Sequence, residues 1–167
     1  MTAEHVMMLV AGHTVLGAGL LALAEKFLPV VPSSALLILL GMNIVAGPGD
    51  LALMLLATTI GSSLGCLGLY ALGMALGEGR CAAFVARYGR YLLLSRARYD
   101  RLVEGYRRRH FQVTFLGQTI PTARAYLPLP AGIFRMAPSR FMLAILLGTS
   151  LWNGGFLTIG YFMRLGA

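Results

Sequence analysis

A single arginine lies in the middle of a long apolar stretch. Residues 111–134 contain Arg124 as their one charged side chain. At membrane depth a guanidinium costs at least ~2.5 kcal/mol, so it normally faces a partner or a cavity. Its rigid fork of N–H donors matches two oxygens of a phosphate. Arg124 is therefore the leading candidate for binding an anionic group, and the alternative is a structural arginine bonded to backbone carbonyls.

Prolines interrupt two apolar segments, one in each half of the chain. Proline has no backbone N–H and breaks a helix, so these segments contain short helices rather than one spanning helix. The amides freed at such breaks, and the starts of short helices, can hold an anion. Gln118 and Ser34 add neutral hydrogen-bonding groups to the same segments. The predicted substrate-binding residues are Arg124, Gln118, Ser34, Pro121, Gly132 and Pro32.

Other chemistries find little support in the residue pattern. The run Gly61-Ser62-Ser63-Leu64-Gly65 fits a G-x-S-x-G nucleophile motif, which requires a strand-to-helix elbow and a later histidine. Here the run lies inside a predicted helix, and His110, the one later histidine, lies in a polar segment. The two glycines instead predict close helix packing. We expect no catalytic residues, no metal site and no cofactor.

The composition indicates that the elements carrying these residues lie in a membrane. Apolar residues make up 57% of the 167 residues, charged residues only 12%. Soluble domains contain about 25% charged residues. Four runs have no Asp, Glu, Lys or Arg, each near the ~20 residues that cross a bilayer core: 6–24, 27–49, 51–76 and 141–163. This excludes a cytosolic enzyme, a secreted disulfide scaffold and a disordered tail.

The positive charge is concentrated in one segment. Residues 77–110 contain nine of the fourteen basic residues and three acids, which gives six of the eight net positive charges. Arginine crowded beside apolar segments marks a cytoplasmic loop. Apolar residues alternate with these arginines at helical spacing, which predicts amphipathic helices on the membrane surface rather than a nucleic-acid partner.

The sequence predicts an all-α integral membrane protein with one domain over 1–167. Broken segments and spanning helices alternate twice, and the two broken segments start at opposite membrane faces, which indicates an inverted repeat. The N-terminus is expected in the cytoplasm, and Asp50 is expected to cap the next helix. Glycine-rich helix faces permit a homodimer. The predicted segments are a transmembrane helix at 6–28, a re-entrant segment at 29–47, a transmembrane helix at 50–76, the cytoplasmic segment at 77–110, a re-entrant segment at 111–137 and a transmembrane helix at 139–163.

One block of the second half resembles the signature of a known family. The run Phe115-Leu116-Gly117-Gln118-Thr119-Ile120-Pro121-Thr122-Ala123-Arg124 is followed by Pro128, Ala131-Gly132, Arg135-Met136, Phe141, Gly148, Trp152 and Gly160-Tyr161. Together these resemble the C-terminal signature of the DedA family, whose core is called the VTT or SNARE-associated domain. In the first half, Glu25, Pro29 and Pro32 resemble the family's acidic and proline-containing stretch.

The resemblance implies a multi-pass protein of the bacterial inner membrane that moves a lipid with an anionic headgroup, such as undecaprenyl phosphate or a phospholipid. It also implies proton coupling, with Glu25 at the family's acidic position. The sequence departs from the pattern in two places: Ser33-Ser34 stands where many members have an acid, and Gln118 stands where many have an arginine. The alternatives are a passive scramblase, a membrane enzyme acting on a lipid phosphate, and a non-transporting protein that supports envelope integrity.

Overall fold

The computed structural model describes residues 15–27, 32–88, 104, 108–109, 111–120, 124 and 127–166. These residues form helices joined by turns, and the described part of the chain contains no strand. Residues 111–117 are also helical. The named helices are α1 (Val15–Ala24), α2 (Ser33–Asn43), α3 (Pro48–Tyr88), α4 (Pro128–Ile133) and α5 (Pro138–Leu165). The all-helical fold class is confirmed.

Two of these helices are long and apolar enough to cross a membrane: the Pro48–Gly77 part of α3, and α5. Their polarity is inverted relative to a soluble helix. The buried side chains include hydroxyls and an amide, whereas many of the exposed ones are large and apolar. Such a surface suits the lipid interior of a membrane, because in water it would expose a large apolar patch. The buried polar set is Thr58, Thr59, Ser62, Ser63, Thr149 and Asn153, and the exposed apolar set includes Leu53, Leu56, Leu64, Leu147 and Leu151.

Helix α3 breaks at Gly77, where φ is 68° and ψ is 170°. Side chains with a β-carbon essentially never adopt this backbone region, so the break requires glycine. It falls where the apolar sequence ends and the arginine-rich segment begins. Most of residues 89–110 lie outside the described residues. Within that segment the exposed Arg108 Nε donates to Glu104 Oε1 over 2.7 Å, the expected spacing of a helical ion pair.

The short helix α2 follows the first proline-rich stretch. It begins at Ser33, directly after Pro32, and has 11 residues. At ~1.5 Å per residue it is about 16 Å long, roughly half of a bilayer's hydrocarbon core. The short helix predicted for this broken segment is thus present. The expectation that Asp50 caps the next helix is wrong, because α3 already begins at Pro48. Asp50 Oδ2 instead accepts a hydrogen bond from the Ala46 N–H over 3.1 Å, just ahead of the helix.

The chain divides into two compact units. Unit 1 contains the chain up to Cys66 together with Leu146 onward, and unit 2 contains Leu67–Ile145. The core of unit 1 is formed by Ala18, Leu36, Leu37, Leu40, Val45, Met54 and Leu157. In unit 2 the rings of Tyr70 and Phe141 stack with centroids 4.4 Å apart.

A pair of glycines joins α2 to α5 in unit 1. A β-carbon on Gly41 would overlap the Leu157 carbonyl oxygen and lie 3.0 Å from the Tyr161 nitrogen. A β-carbon on Gly160 would overlap the Ile38 carbonyl oxygen and lie 3.0 Å from the Gly41 α-carbon. The two helix backbones are therefore in direct contact, which only glycine permits at these positions.

The same contact recurs in unit 2, between α4 and α3. A β-carbon on Gly132 would overlap the Tyr70 carbonyl oxygen and lie 2.9 Å from the Met74 nitrogen. A β-carbon on Gly73 would overlap the Leu129 carbonyl oxygen. In all four cases the overlapped carbonyl lies three residues before the partner glycine. Each short helix thus packs on the long helix from the other half of the chain, through what we call the reciprocal glycine pairs.

Candidate functional site

Arg124 is buried in unit 2, with 2% of its surface exposed. Its backbone N–H donates to the Ile120 carbonyl over 3.0 Å. The other buried polar residues among the described part of unit 2 are Thr114 and Gln118, and both are neutral. A buried guanidinium with neutral polar neighbours in its own segment has the charge and the donors to bind a phosphate-type anion.

Gln118 is fully buried, and neither polar atom of its side-chain amide has a hydrogen-bond partner among the described residues. A buried amide without partners costs about 1–3 kcal/mol. Such a group is satisfied when a polar ligand or a water reaches it. The sequence placed Gln118 and Arg124 in one candidate site, and both are buried in the same unit.

Hydrogen bonds fix the end of this broken segment. The Tyr70 hydroxyl donates to the Met136 carbonyl over 2.6 Å in a buried position. Helix α4 ends in a Schellman motif, in which Met136 N–H donates to Ala131 and Arg135 N–H to Gly132, each over 3.0 Å. Arg135 occupies its left-handed position with φ 49°. Glycine is usual at this position, so the backbone of Arg135 is strained.

Unit 1 contains a second buried cation. The Lys26 Nζ lies 3.6 Å from Glu25 Oε1, with 2% of the lysine side chain exposed and 15% of the glutamate side chain exposed. The lysine stem crosses α3 at Gly65, where a β-carbon would lie 2.7 Å from Lys26 Cγ. Adjacent opposite charges at a helix end ordinarily form a pair at the membrane interface. The structure instead buries its cationic member.

Three other predicted residues have definite places. Pro32 is the N-cap of α2 with φ −59°, and no side chain caps this helix. Ser34 is half-buried in its first turn, beside amides that can bind an anion. Gly132 is buried against the backbone of α3, and the absence of a side chain there lets the two helices pack closely. Pro121 lies outside the described residues.

Lys26 is the residue that sequence reasoning missed. Adjacent opposite charges at a helix end usually lie in water, so nothing local distinguishes this pair. A signal was nevertheless present: Lys26 lies three residues before Pro29, as Gln118 lies three residues before Pro121. These two polar side chains therefore share the same spacing to a proline.

The G-x-S-x-G run forms packing contacts rather than a nucleophile elbow. Ser63 is buried within the continuous helical part of α3, where no strand-to-helix turn exists. A β-carbon on Gly61 would lie 3.1 Å from the Gly19 α-carbon of α1, which confirms close helix packing there. The described residues contain no group of three His, Cys, Asp or Glu side chains arranged to hold a metal ion.

The fold and the buried charges define a helical membrane protein with polar groups inside and apolar residues outside. Residues 31–162 match the VTT domain. The chain belongs to this family, the DedA family, as its second-half signature predicted.

Three relatives illustrate the similarity. The undecaprenyl phosphate transporter A of Staphylococcus aureus is 30% identical over 141 residues, which cover 84% of this chain and 70% of the relative. An alkaline phosphatase-like protein of Lactococcus lactis subsp. cremoris is 30% identical over 145 residues, covering 86% and 68%. The undecaprenyl phosphate transporter A of Bacillus subtilis is 26% identical over 131 residues, covering 78% and 64%. No solved structure matches this chain.

Proposed function

We propose that this protein is a transporter that moves a lipid with a phosphate headgroup across the bacterial inner membrane. The observation that carries the proposal is the burial of the Arg124 guanidinium inside an apolar, proline-broken segment. The headgroup phosphate binds Arg124, and Gln118 supplies a neutral hydrogen bond. Two relatives named undecaprenyl phosphate transporter A favour a polyprenyl phosphate over a phospholipid as substrate.

We further propose that the two proline-broken segments are re-entrant and related by an inverted repeat. Helix α2, with 11 residues, and α4, with 6 residues, are each too short to span a bilayer core. The reciprocal glycine pairs support the repeat, because both short helices pack on a long helix with the same residue offsets. This arrangement places the N-terminus and residues 77–110 in the cytoplasm, and Gly49 and the C-terminus outside.

Cysteine labelling in intact cells tests this topology. Single cysteines at Gly49 and Arg98, in a background with Cys66 and Cys81 replaced by alanine, should react from opposite membrane faces. A membrane-impermeant maleimide is expected to label Gly49→Cys and to miss Arg98→Cys until the cells are permeabilised. Labelling of both sites from one face contradicts the arrangement.

The transport proposal is tested in vesicles that contain the purified protein and a fluorescent polyprenyl phosphate in both leaflets. An external phosphatase converts the outer-leaflet lipid, so further conversion reports lipid arriving from the inner leaflet. Arg124→Ala should lower the rate of this exchange at least about tenfold, because it removes a charge-assisted hydrogen-bonding group. Arg124→Lys should restore part of it, because an ammonium cannot make the two-pronged contact.

Arg140→Ala is the matched control, since Arg140 is an exposed arginine near the start of α5. It should leave exchange unchanged. If Arg124→Ala inserts into vesicles normally and exchanges lipid at the wild-type rate, the proposed headgroup contact is wrong.

Proton coupling through Glu25 forms part of the proposal, and a passive scramblase is the second candidate. The second candidate is favoured by the Lys26 ammonium 3.6 Å from Glu25, which makes the pair neutral as a whole. Exchange measured with and without an imposed pH gradient separates the two. A gradient-dependent rate that disappears in Glu25→Gln supports coupling. Equal rates in all four conditions identify a passive pathway.

Two further alternatives give different results in the same vesicles. The alkaline phosphatase-like names of two Lactococcus lactis relatives suggest a test for enzymatic phosphate release. Phosphate appearing without added phosphatase would identify an enzyme. If the vesicles show neither exchange nor phosphate release, the remaining alternative is a non-transporting protein that supports the envelope through partners.

A further inference from the structure

Neighbouring hydroxyl side chains on α3 differ in whether they have a hydrogen-bond partner. Thr58 Oγ1 donates to the backbone carbonyl one turn earlier over 2.7 Å, the usual bond of a threonine inside a helix. Ser62 donates to a carbonyl of α1 over 3.5 Å. The residues that follow them, Thr59 and Ser63, are also buried, but their hydroxyls have no partner among the described residues. Buried hydroxyls in this state destabilise a fold, so packing alone does not account for them.

Helix α5 contains the same kind of side chain. Asn153 has 1% of its surface exposed, and neither polar atom of its amide has a partner among the described residues. Thr149 lies four residues earlier, on the same helix face, and its fully buried hydroxyl is in the same state. Together with the two hydroxyls of α3, five enclosed polar atoms of unit 1 therefore make no hydrogen bond to the described part of the chain.

Within unit 1, helices α3 and α5 run antiparallel. Arg164, near the end of α5, donates to the Val45 carbonyl over 2.7 Å, three residues before α3 begins. Further along, both δ-carbons of Leu55 on α3 lie 3.7 Å from the position of a β-carbon on Gly154 of α5. The end of α5 is thus beside the start of α3, and later residues of α3 face earlier residues of α5.

The four polar residues extend two rows that start in the hydrophobic core of unit 1. Each row begins with a leucine that belongs to this core or packs against it, and continues in steps of four residues along one helix face. The rows are Leu55, Thr59 and Ser63 on α3, and Leu157, Asn153 and Thr149 on α5. Because the helices are antiparallel, both rows change from apolar to polar in the same direction, which brings the polar members together.

The chemistry of these atoms favours a partner that both donates and accepts hydrogen bonds. The amide nitrogen of Asn153 only donates, its oxygen only accepts, and each hydroxyl does both. A bare cation would leave the amide nitrogen without a partner, and a fully ionised anion would leave the amide oxygen without one. A phosphate monoester that keeps one proton has a P–OH donor as well as accepting oxygens. Water has the same two capacities.

We propose that Thr59, Ser63, Thr149 and Asn153, which we call the α3–α5 polar face, form an uncharged binding site for the headgroup of the transported lipid. This inference rests on the proposed transport of a phosphate lipid, and it concerns residues other than Arg124. Because the five atoms are enclosed, the headgroup reaches them when α3 and α5 move apart. The side chains then form their hydrogen bonds only while a headgroup passes, so the protein retains polar groups that destabilise its resting fold.

Shape-conserving substitutions test the proposal in vesicles that contain the purified protein and fluorescent polyprenyl phosphate. The variants are Thr59→Val, Thr149→Val and Asn153→Leu, and each replaces polar atoms by apolar ones of similar size. Each should lower the exchange rate about fivefold, the effect of one net hydrogen bond. The melting temperature of each variant in detergent should equal or exceed that of the wild type, because the substitution removes a buried polar group without a partner.

Thr58→Val is the matched control, since it makes the same change at the neighbouring position of α3. The Thr58 hydroxyl already donates to a backbone carbonyl, so the headgroup has no use for it. This variant should exchange lipid at the wild-type rate and should not gain stability. A loss of exchange equal to that of Thr59→Val would contradict the polar face.

The two measurements separate a headgroup from bound water. A lowered exchange rate with an unchanged or raised melting temperature supports the inference. Wild-type exchange by the three variants overturns it, whatever their stability. If exchange and melting temperature both fall, the side chains are satisfied by structural water that supports the fold, and the inference is also overturned.

The same assay distinguishes failure of this inference from failure of the proposed function. If the wild type exchanges lipid and Arg124→Ala does so slowly, the proposed function stands even when the variants of the polar face behave as the wild type. If the wild type exchanges no lipid, the proposed function and the polar face are both wrong.

Discussion

Units 1 and 2 share a packing contact and bury different polar side chains. In each unit a short helix packs on a long one through a reciprocal glycine pair, and a cation is buried, Lys26 or Arg124. In unit 1 an adjacent carboxylate lies 3.6 Å from the ammonium. In unit 2 the other buried polar side chains of the described residues, Thr114 and Gln118, are neutral. The comparison teaches that the same backbone contact can occur in units that bury different charged side chains.

The largest expected effect tests whether the two glycine contacts are equivalent. Gly41→Leu and Gly132→Leu should each destabilise the protein by about 3 kcal/mol or more, because the obstructing atoms belong to backbone and cannot move aside. The two losses should be similar. The measurement is unfolding in mixed detergent and dodecyl sulfate.

Gly155→Leu is the control for these substitutions, since nothing lies within 4 Å of a β-carbon at Gly155. It should change stability by less than about 0.5 kcal/mol, as surface substitutions usually do. A severe loss at only one of Gly41 and Gly132 would show that the two units are not packed alike.

A smaller effect concerns the carbonyl groups at the ends of the broken segments. Tyr70→Phe leaves the buried Met136 carbonyl without its 2.6 Å donor and should cost about 1–3 kcal/mol. Arg164→Met removes the corresponding 2.7 Å bond to the Val45 carbonyl, a bond that is part-buried because Arg164 is exposed, and should cost about 1 kcal/mol. Melting curves in detergent measure both. Equal losses would contradict the deeper burial of the unit 2 bond.

The smallest effect has the opposite sign. Arg135→Gly removes the strain of a side chain at φ 49° and should stabilise the protein by up to about 1 kcal/mol. Gly at this Schellman position also loses more backbone entropy on folding, which limits the gain. The same unfolding assay measures it. A clear loss of stability would show that the Arg135 side chain makes a contact worth more than the strain.

The sequence predicted those features that depend on local chemistry. Proline positions indicated short helices, and α2 begins directly after Pro32. Small residues one turn apart indicated close packing, and Gly61 and Gly65 both contact α1 or the turn after it. The resemblance of the second half identified the family. The first two signals need only a few adjacent residues, whereas the family signature extends over the second half of the chain.

Long-range contacts were beyond such reasoning. The partner of Gly41 is Gly160, more than a hundred residues away, and no local pattern pairs them. The burial of Lys26 depends on the missing side chain of Gly65, some forty residues later. The prediction that Asp50 caps the helix failed for a different reason. The helix begins two residues earlier, at Pro48, whose fixed φ suits a first helical turn.

The reciprocal glycine pairs also set an order of assembly during synthesis. Unit 2 is one continuous stretch, so α4 meets its partner α3 as soon as residue 145 has left the ribosome. Helix α2 is made much earlier but its partner α5 is made last, so its glycine face has to wait for the end of translation. Chains emerge at about 5–20 residues per second, which leaves this face unpaired for several seconds. A ribosome that stalls before Gly160 would therefore release a chain whose later half is packed and whose earlier half is not.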